Sequence, residues 1–148
     1  MSIEGQKFAY PGEGAKPDEV LRLAREYQLA AHALLSLGRR GQPLSHAPFR
    51  LLAIHAIELH LNALLLAKGH QSTKVRGMQH NLAARTDAAI ALGLILRKRT
   101  AQHLRSLSET REYLVSRYDP GLSALSKINR LSATLDEVAQ KATVIVCR

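Results

Sequence analysis

The residues best able to do chemistry lie in one apolar stretch, where His55, Glu58 and Asn62 follow each other at helical spacing. Intervals of three and four residues place their side chains on one face of a helix. A carboxylate among apolar neighbours needs hydrogen-bond partners, because otherwise its pKa rises until the group is neutral. The pattern predicts either a satisfied structural network or a polar pocket for a nucleotide or another small ligand. A metal site would need further ligands, which this spacing does not supply.

His80 is a second candidate, since it stands directly before Asn81 and Leu82, where a short helix is expected to begin. The side chain of His80 or Asn81 could accept hydrogen bonds from the free backbone N–H groups of the first turn. A catalytic role for the imidazole is the alternative interpretation.

The densest basic segment comprises Arg97, Lys98 and Arg99, and Arg105 continues it. Cations near a helix start oppose the helix dipole and gain no stability there. The segment therefore indicates either contact with phosphate groups or a solvated helix start. The whole chain of 148 residues carries 21 Lys plus Arg against 12 Asp plus Glu, a formal net charge of +9. That balance predicts an acidic partner, with nucleic acid as the first candidate.

Composition excludes several classes of protein. A 46% hydrophobic content is too high for a disordered chain, and the single cysteine, Cys147, excludes a disulfide scaffold. No apolar run reaches the roughly 18 residues of a membrane span, and the N-terminus lacks the apolar stretch of a signal peptide. We therefore expect a soluble, cytoplasmic protein with no membrane contact. Phosphate-binding glycine loops, zinc spacing and nucleophile elbows are missing from the sequence, so no cofactor is expected.

Leu and Ala dominate the sequence, and both favour helices. The pattern predicts an all-α fold, an antiparallel up-and-down bundle of four long helices and one short helix. An irregular N-terminal arm, residues 1–16, precedes a single helical domain over residues 17–148. The second helix is apolar on all sides, which is typical of a central, buried helix. The predicted helices span residues 17–37, 48–68, 81–92, 97–118 and 123–144.

Three short motifs occur in a recognisable order. The first motif is the apolar second helix, which contains Glu58 and ends at Lys68-Gly69-His70. The second motif, at the start of the short helix, is His80-Asn81-Leu82. The third motif, at the end of the next helix, is Arg117-Tyr118-Asp119-Pro120. Over residues 20–140 this order resembles the HEPN family (higher eukaryote and prokaryote nucleotide-binding domain). The resemblance implies a helical bundle that is often a homodimer. It also implies a possible partner protein of the nucleotidyltransferase type, in a toxin–antitoxin-like pair.

Many HEPN proteins are metal-independent ribonucleases with an Arg followed, after four to six residues, by a His. The matching stretch begins at Arg111 and ends at Tyr118, and Ser116 stands where the family keeps the histidine. A hydroxyl cannot replace an imidazole that acts as general acid or base near neutral pH.

The resemblance and this substitution together predict a non-catalytic binding module for RNA, a nucleotide or a partner protein. Two alternatives stay open: a divergent ribonuclease that uses His80 or His103 with Arg111, and a helical adaptor with no role in nucleic-acid binding. The candidate ligand-binding residues are Glu58, His55, Asn62, His80, Arg111, Arg117 and Tyr118.

Overall fold

The computed structural model describes residues 10–121 and 125–148, and this part of the chain is helical with no β-strand. The prediction of an all-α fold is therefore confirmed, while the number and bounds of the helices differ. Seven α-helices occur in the described residues: α1 Pro17–Leu34, α2 Ala47–Ala67, α3 Ser72–Gly77, α4 Leu82–Ala91, α5 Lys98–Glu109, α6 Glu112–Tyr118 and α7 Ile128–Val146. Two 3-10 turns, Leu35–Leu37 and Pro43–His46, lie between α1 and α2.

Helix α2 is the centre of the fold, as its apolar sequence predicts. Phe49, Ile57, Leu61 and Leu64 are all at most 1% exposed, and α1 and α7 pack along α2. Its 21 residues span about 30 Å. This segment, with the 3-10 turn before it, is long and apolar enough by composition to cross a membrane, but 61% of its most apolar window is buried inside the protein. That burial is compatible with the core helix of a soluble protein.

Helix α1 begins where the sequence predicts. The backbone N–H of Lys16 donates to Glu19 Oε1 at 2.8 Å, and Pro17 occupies the first helical position. Proline is tolerated there because its missing N–H would have no partner within the helix. The small buried residues Ala24 and Ala31 let α1 lie close to α2. In the predicted arm, residues 11–14 form a turn, and residues 1–9 lie outside the described residues.

The single helix predicted for residues 97–118 is wrong, because the structure divides it into α5 and α6. The break falls at Arg111, whose backbone φ of 53° lies in the left-handed region. Breaking the helix turns Glu112 inward, where its carboxylate accepts from Arg50 Nη1 at 3.1 Å and from the Ser126 N–H at 2.8 Å. This buried network joins α6 to α2 and to the segment before α7.

Two other boundaries also differ from the prediction. The polar loop expected at residues 70–78 contains α3, which buries Val75 against the core. The last helix begins at Ile128 rather than near residue 123, and residues 122–124 lie outside the described part. The predicted bundle of four long helices and one short helix therefore becomes α1, α2, α5 and α7 with three shorter helices between them.

Candidate functional site

Five polar or aromatic side chains meet where α2, the loop before α4, and α6 come together. They are His55, Glu58, His80, Tyr113 and Arg117, which we call the histidine cluster. With three apolar side chains they line a cavity of about 10 Å³, about the space that one water molecule occupies. Sequence analysis identified four of these five residues as candidates. It did not identify the fifth, Tyr113.

A hydrogen bond between Glu58 and His80 organises this cluster. His80 Nδ1 lies 3.0 Å from Glu58 Oε1, and the two side chains are 48% and 12% exposed. The His80 ring also lies against Tyr113, with ring centroids 5.0 Å apart. The neighbouring Asn81 caps α4, because its Oδ1 accepts from the Ala84 N–H at 3.0 Å. Asn81 is therefore the residue that caps α4, and the imidazole of His80 belongs to the histidine cluster instead.

His55 forms the inner wall of the cluster. Its ring meets Tyr27 edge to face, with centroids 4.6 Å apart. Burial lowers the pKa of His55; the nearby Glu58 opposes this effect, and Arg117 and His80 add to it. The ring is therefore neutral at pH 7, and it can donate one hydrogen bond and accept another.

Asn62 does not join the histidine cluster. Its Oδ1 accepts from Arg85 Nε at 2.6 Å, and Arg85 is 2% exposed. Sequence reasoning missed Arg85, which lies on the short helix α4 among small residues. The available signal was its position four residues after Asn81, on the side of α4 that faces α2.

A larger groove begins on the other side of His80, which lines both spaces. This groove has a volume of about 1130 Å³ and lies between the start of α1, the middle of α2 and α3. We call it the α2–α3 groove. Tyr10 closes one end, where its ring stacks against the guanidinium of Arg76, 4.0 Å from the ring centroid.

Arg111, Arg117 and Tyr118 are exposed on or next to α6. The side chain of Arg111 forms no hydrogen bond or ion pair with another described residue, and Tyr118 is 75% exposed. Ser116 donates its hydroxyl to the Tyr113 carbonyl at 3.4 Å. The Ser116 hydroxyl therefore faces the backbone of its own helix.

His103 lies away from the cluster, in the interior between α5 and α7. It is 7% exposed, and its Nδ1 is 2.6 Å from Thr134 Oγ1. Burial lowers its pKa to about 4; Glu112 opposes this shift, while Arg130 and Arg50 add to it. A neutral, buried imidazole of this kind is not positioned to meet a substrate together with the exposed Arg111.

The basic segment lies at the opposite end of α5 from the cluster. The Arg97 N–H donates to Glu137 on α7 at 2.8 Å, whereas Ser108 accepts from the Ala83 N–H at the start of α4. The rise along α5 separates these two ends by about 16 Å. Arg97, Lys98 and Arg99 are exposed, and Arg105 pairs with Asp87 at 2.8 Å. The basic segment and the histidine cluster therefore lie on separate surfaces of the fold.

Within the described residues, no group of three or more His, Cys, Asp or Glu side chains could hold a metal ion. Comparison with protein-family models, curated proteins and solved structures gives no match to this chain.

Proposed function

We propose that this chain is a HEPN-like, non-catalytic binding domain that engages RNA or a nucleotide at the histidine cluster and the adjoining face of α6. The observation that carries the proposal is the meeting of three separate motif segments. Glu58 comes from α2, His80 from the loop before α4, and Arg117 from α6, and all three line one small cavity. These segments are the ones on which the HEPN resemblance rests.

The face beside this cavity carries groups that suit a phosphodiester backbone. Arg111 and Arg117 are exposed cations, and Tyr118 offers an exposed ring on which a base can stack. His80 adds a half-exposed imidazole that Glu58 holds in place. Binding through arginines to phosphates releases counterions, so the affinity should fall steeply as salt rises.

A homodimer is part of the same proposal. Leu114 and Tyr118 are four residues apart on α6 and are 37% and 75% exposed, so they form an apolar stripe on one side of the helix. A second copy of the chain, or a nucleotidyltransferase-type partner protein, would cover this stripe. Light scattering on the purified protein, with Leu114→Glu as the disruptive variant, distinguishes a dimer from a monomer.

Fluorescence anisotropy with a labelled single-stranded RNA tests the binding function. We expect Arg117→Ala and Arg111→Ala each to raise Kd at least threefold and to reduce its dependence on salt. Arg22→Ala, which removes an exposed arginine of α1, is the matched control and should leave Kd within the error. Binding that is insensitive to salt, or equally weakened by Arg22→Ala, would contradict the proposal.

A divergent ribonuclease is the second candidate, and the Glu58–His80 hydrogen bond favours it. A carboxylate that orients an imidazole is a recurrent feature of general acid–base sites. Incubation with mixed RNA in EDTA tests this candidate. Cleavage that is lost in both His80→Ala and Arg111→Ala would establish it and replace the non-catalytic proposal. A folded protein that neither binds nor cleaves RNA would favour the adaptor function.

A further inference from the structure

Arg85 is a buried cation without an acidic partner. It is 2% exposed, and no carboxylate of the described residues forms an ion pair with it. Its acceptors are the Asn62 side-chain oxygen at 2.6 Å and two backbone carbonyl oxygens, of Asn81 and Val75, each at 3.4 Å. Each guanidinium nitrogen therefore has an acceptor, but the two carbonyl contacts are long for hydrogen bonds, and none of the three acceptors carries a charge.

Glu58 is the acidic residue that acts on Arg85, but its carboxylate is already bonded to His80. Burying a charge is costly unless an opposite charge or a full set of hydrogen bonds compensates for it. The other buried arginine shows the contrast: Arg50 bonds directly to the Glu112 carboxylate at 3.1 Å. Arg85 therefore lacks the counter-charge that this fold gives Arg50.

Arg85 lines the α2–α3 groove, whose lining includes both apolar and polar side chains. Val20 and Leu23 of α1 and Leu59 and Leu66 of α2 form the walls, and Leu23 is 49% exposed. The one acidic lining residue, Glu19, is engaged with the backbone of Lys16. A ligand in this groove would meet apolar walls and the buried charge of Arg85, while the second arginine of the lining, Arg76, stacks on Tyr10.

We propose that the α2–α3 groove binds a small carboxylate with an apolar body, and that its carboxylate pairs with Arg85. A carboxylate would supply the counter-charge that the buried Arg85 lacks, and guanidinium and carboxylate groups fit each other through paired hydrogen bonds. The volume of about 1130 Å³ suits a drug-sized ligand, whose sites are mostly apolar with a few placed polar groups. This inference goes beyond the proposed function and stands without it, since no RNA contact is needed.

Calorimetric titration of the full chain with decanoate tests the inference, with thermal unfolding as a second readout. We expect saturable binding of one decanoate per chain and a rise in Tm. Acetate has the carboxylate without the body, and decyltrimethylammonium has the body with the opposite charge, so neither should bind at the same concentrations. Decyl phosphate should bind no more tightly than decanoate.

Two variants test separately how the charge of Arg85 and the apolar walls of the groove contribute to decanoate binding. Arg85→Met keeps the length of the side chain without its charge and should weaken decanoate binding at least tenfold. Leu23→Trp narrows the groove from its exposed side and should weaken binding to a similar extent with Arg85 intact. Arg105→Met, which removes a cation on another face, should keep Kd within twofold.

Several outcomes would overturn the inference. These are no saturable decanoate binding, equal binding of the cationic analogue, tighter binding of decyl phosphate, or an unchanged affinity in folded Arg85→Met. If Arg85→Met does not fold, an unchanged affinity in Leu23→Trp overturns it alone. Because no RNA is present in the titration, these results are independent of the RNA-binding experiment.

Discussion

His80 Nδ1 lies 3.0 Å from Glu58 Oε1, although 22 residues separate the two in the chain. This hydrogen bond attaches the entrance of α4 to the central helix, and it leaves the His80 side chain 48% exposed. Because the His80 side chain is half exposed to water, the hydrogen bond should contribute little to the free energy of unfolding, although it fixes the orientation of the His80 ring.

A double-mutant cycle with Glu58→Gln and His80→Ala measures that contribution. We expect a coupling free energy of about 0.5–1 kcal/mol in urea unfolding. A coupling energy several times larger would indicate that the pair is a structural element of the core rather than a surface feature. Arg105→Ala with Asp87→Ala provides a matched exposed pair.

The buried pair of Arg50 and Glu112 should behave differently. Glu112 is 1% exposed and bonds to Arg50, to the Ser126 backbone and to the Ser126 hydroxyl. Glu112→Ala leaves a buried guanidinium without its partner, which should cost about 3–5 kcal/mol of unfolding free energy. The measurement is chemical denaturation, with Asp87→Ala as the surface control.

The double variant Arg50→Met with Glu112→Leu removes both charges together. It should recover much of that lost stability, because the desolvation cost of the ion pair disappears with the pair. A double variant as unstable as Glu112→Ala alone would show that the hydrogen bonds to Ser126, and not the ion pair, hold α6 in place.

Local patterns in the sequence predict part of this fold correctly. The all-round apolar character of α2 indicates its central position, and Asn81 is predicted among the caps of α4; both are confirmed. The break at Arg111 could not be predicted, because residues 97–118 contain no proline or glycine. The break accompanies the burial of Glu112 against Arg50, a contact between residues 62 positions apart.

The candidate site, like the fold, could be predicted only in part from local sequence patterns. Glu58, Asn62 and His80 all stand out by type and position, but helical spacing alone places Asn62 with Glu58. The structure instead pairs Glu58 with His80 and Asn62 with Arg85. Both pairings depend on how α4 lies across α2, which periodicity within one helix cannot reveal.

Two buried histidines should make the protein less stable in mild acid. Burial lowers the pKa of His60 to about 4, with Arg25 adding to the shift, and the pKa of His103 is also about 4. Both rings have an ordinary pKa of 6.5, so below that pH the unfolded chain binds protons that the folded chain does not. The stability is therefore full above pH 6.5 and falls as the pH drops toward 4.

The expected loss between pH 7 and pH 5 is about 2 kcal/mol for each histidine. Urea unfolding at several pH values measures it. His103→Gln replaces the ring with an amide that does not titrate, so its curve should be flatter by about half over this range. An identical slope in the wild type and in His103→Gln would show that His103 is not buried in its neutral form.

The backbone at Arg111 offers a way to raise stability. Its φ of 53° is a conformation that costs a residue with a Cβ atom about 1 kcal/mol and costs glycine almost nothing. Arg111→Gly should therefore stabilise the fold by several tenths of a kcal/mol in urea unfolding, after the added freedom of the unfolded glycine is subtracted. Gln79→Gly, at φ 50°, is the matched control and should change stability in the same direction.

Because Arg111→Gly also removes an exposed cation beside α6, its RNA affinity should fall while its stability rises, and Gln79→Gly should change stability alone. A loss of stability in Arg111→Gly would mean that its side chain, and not the burial of Glu112, holds the turn between α5 and α6.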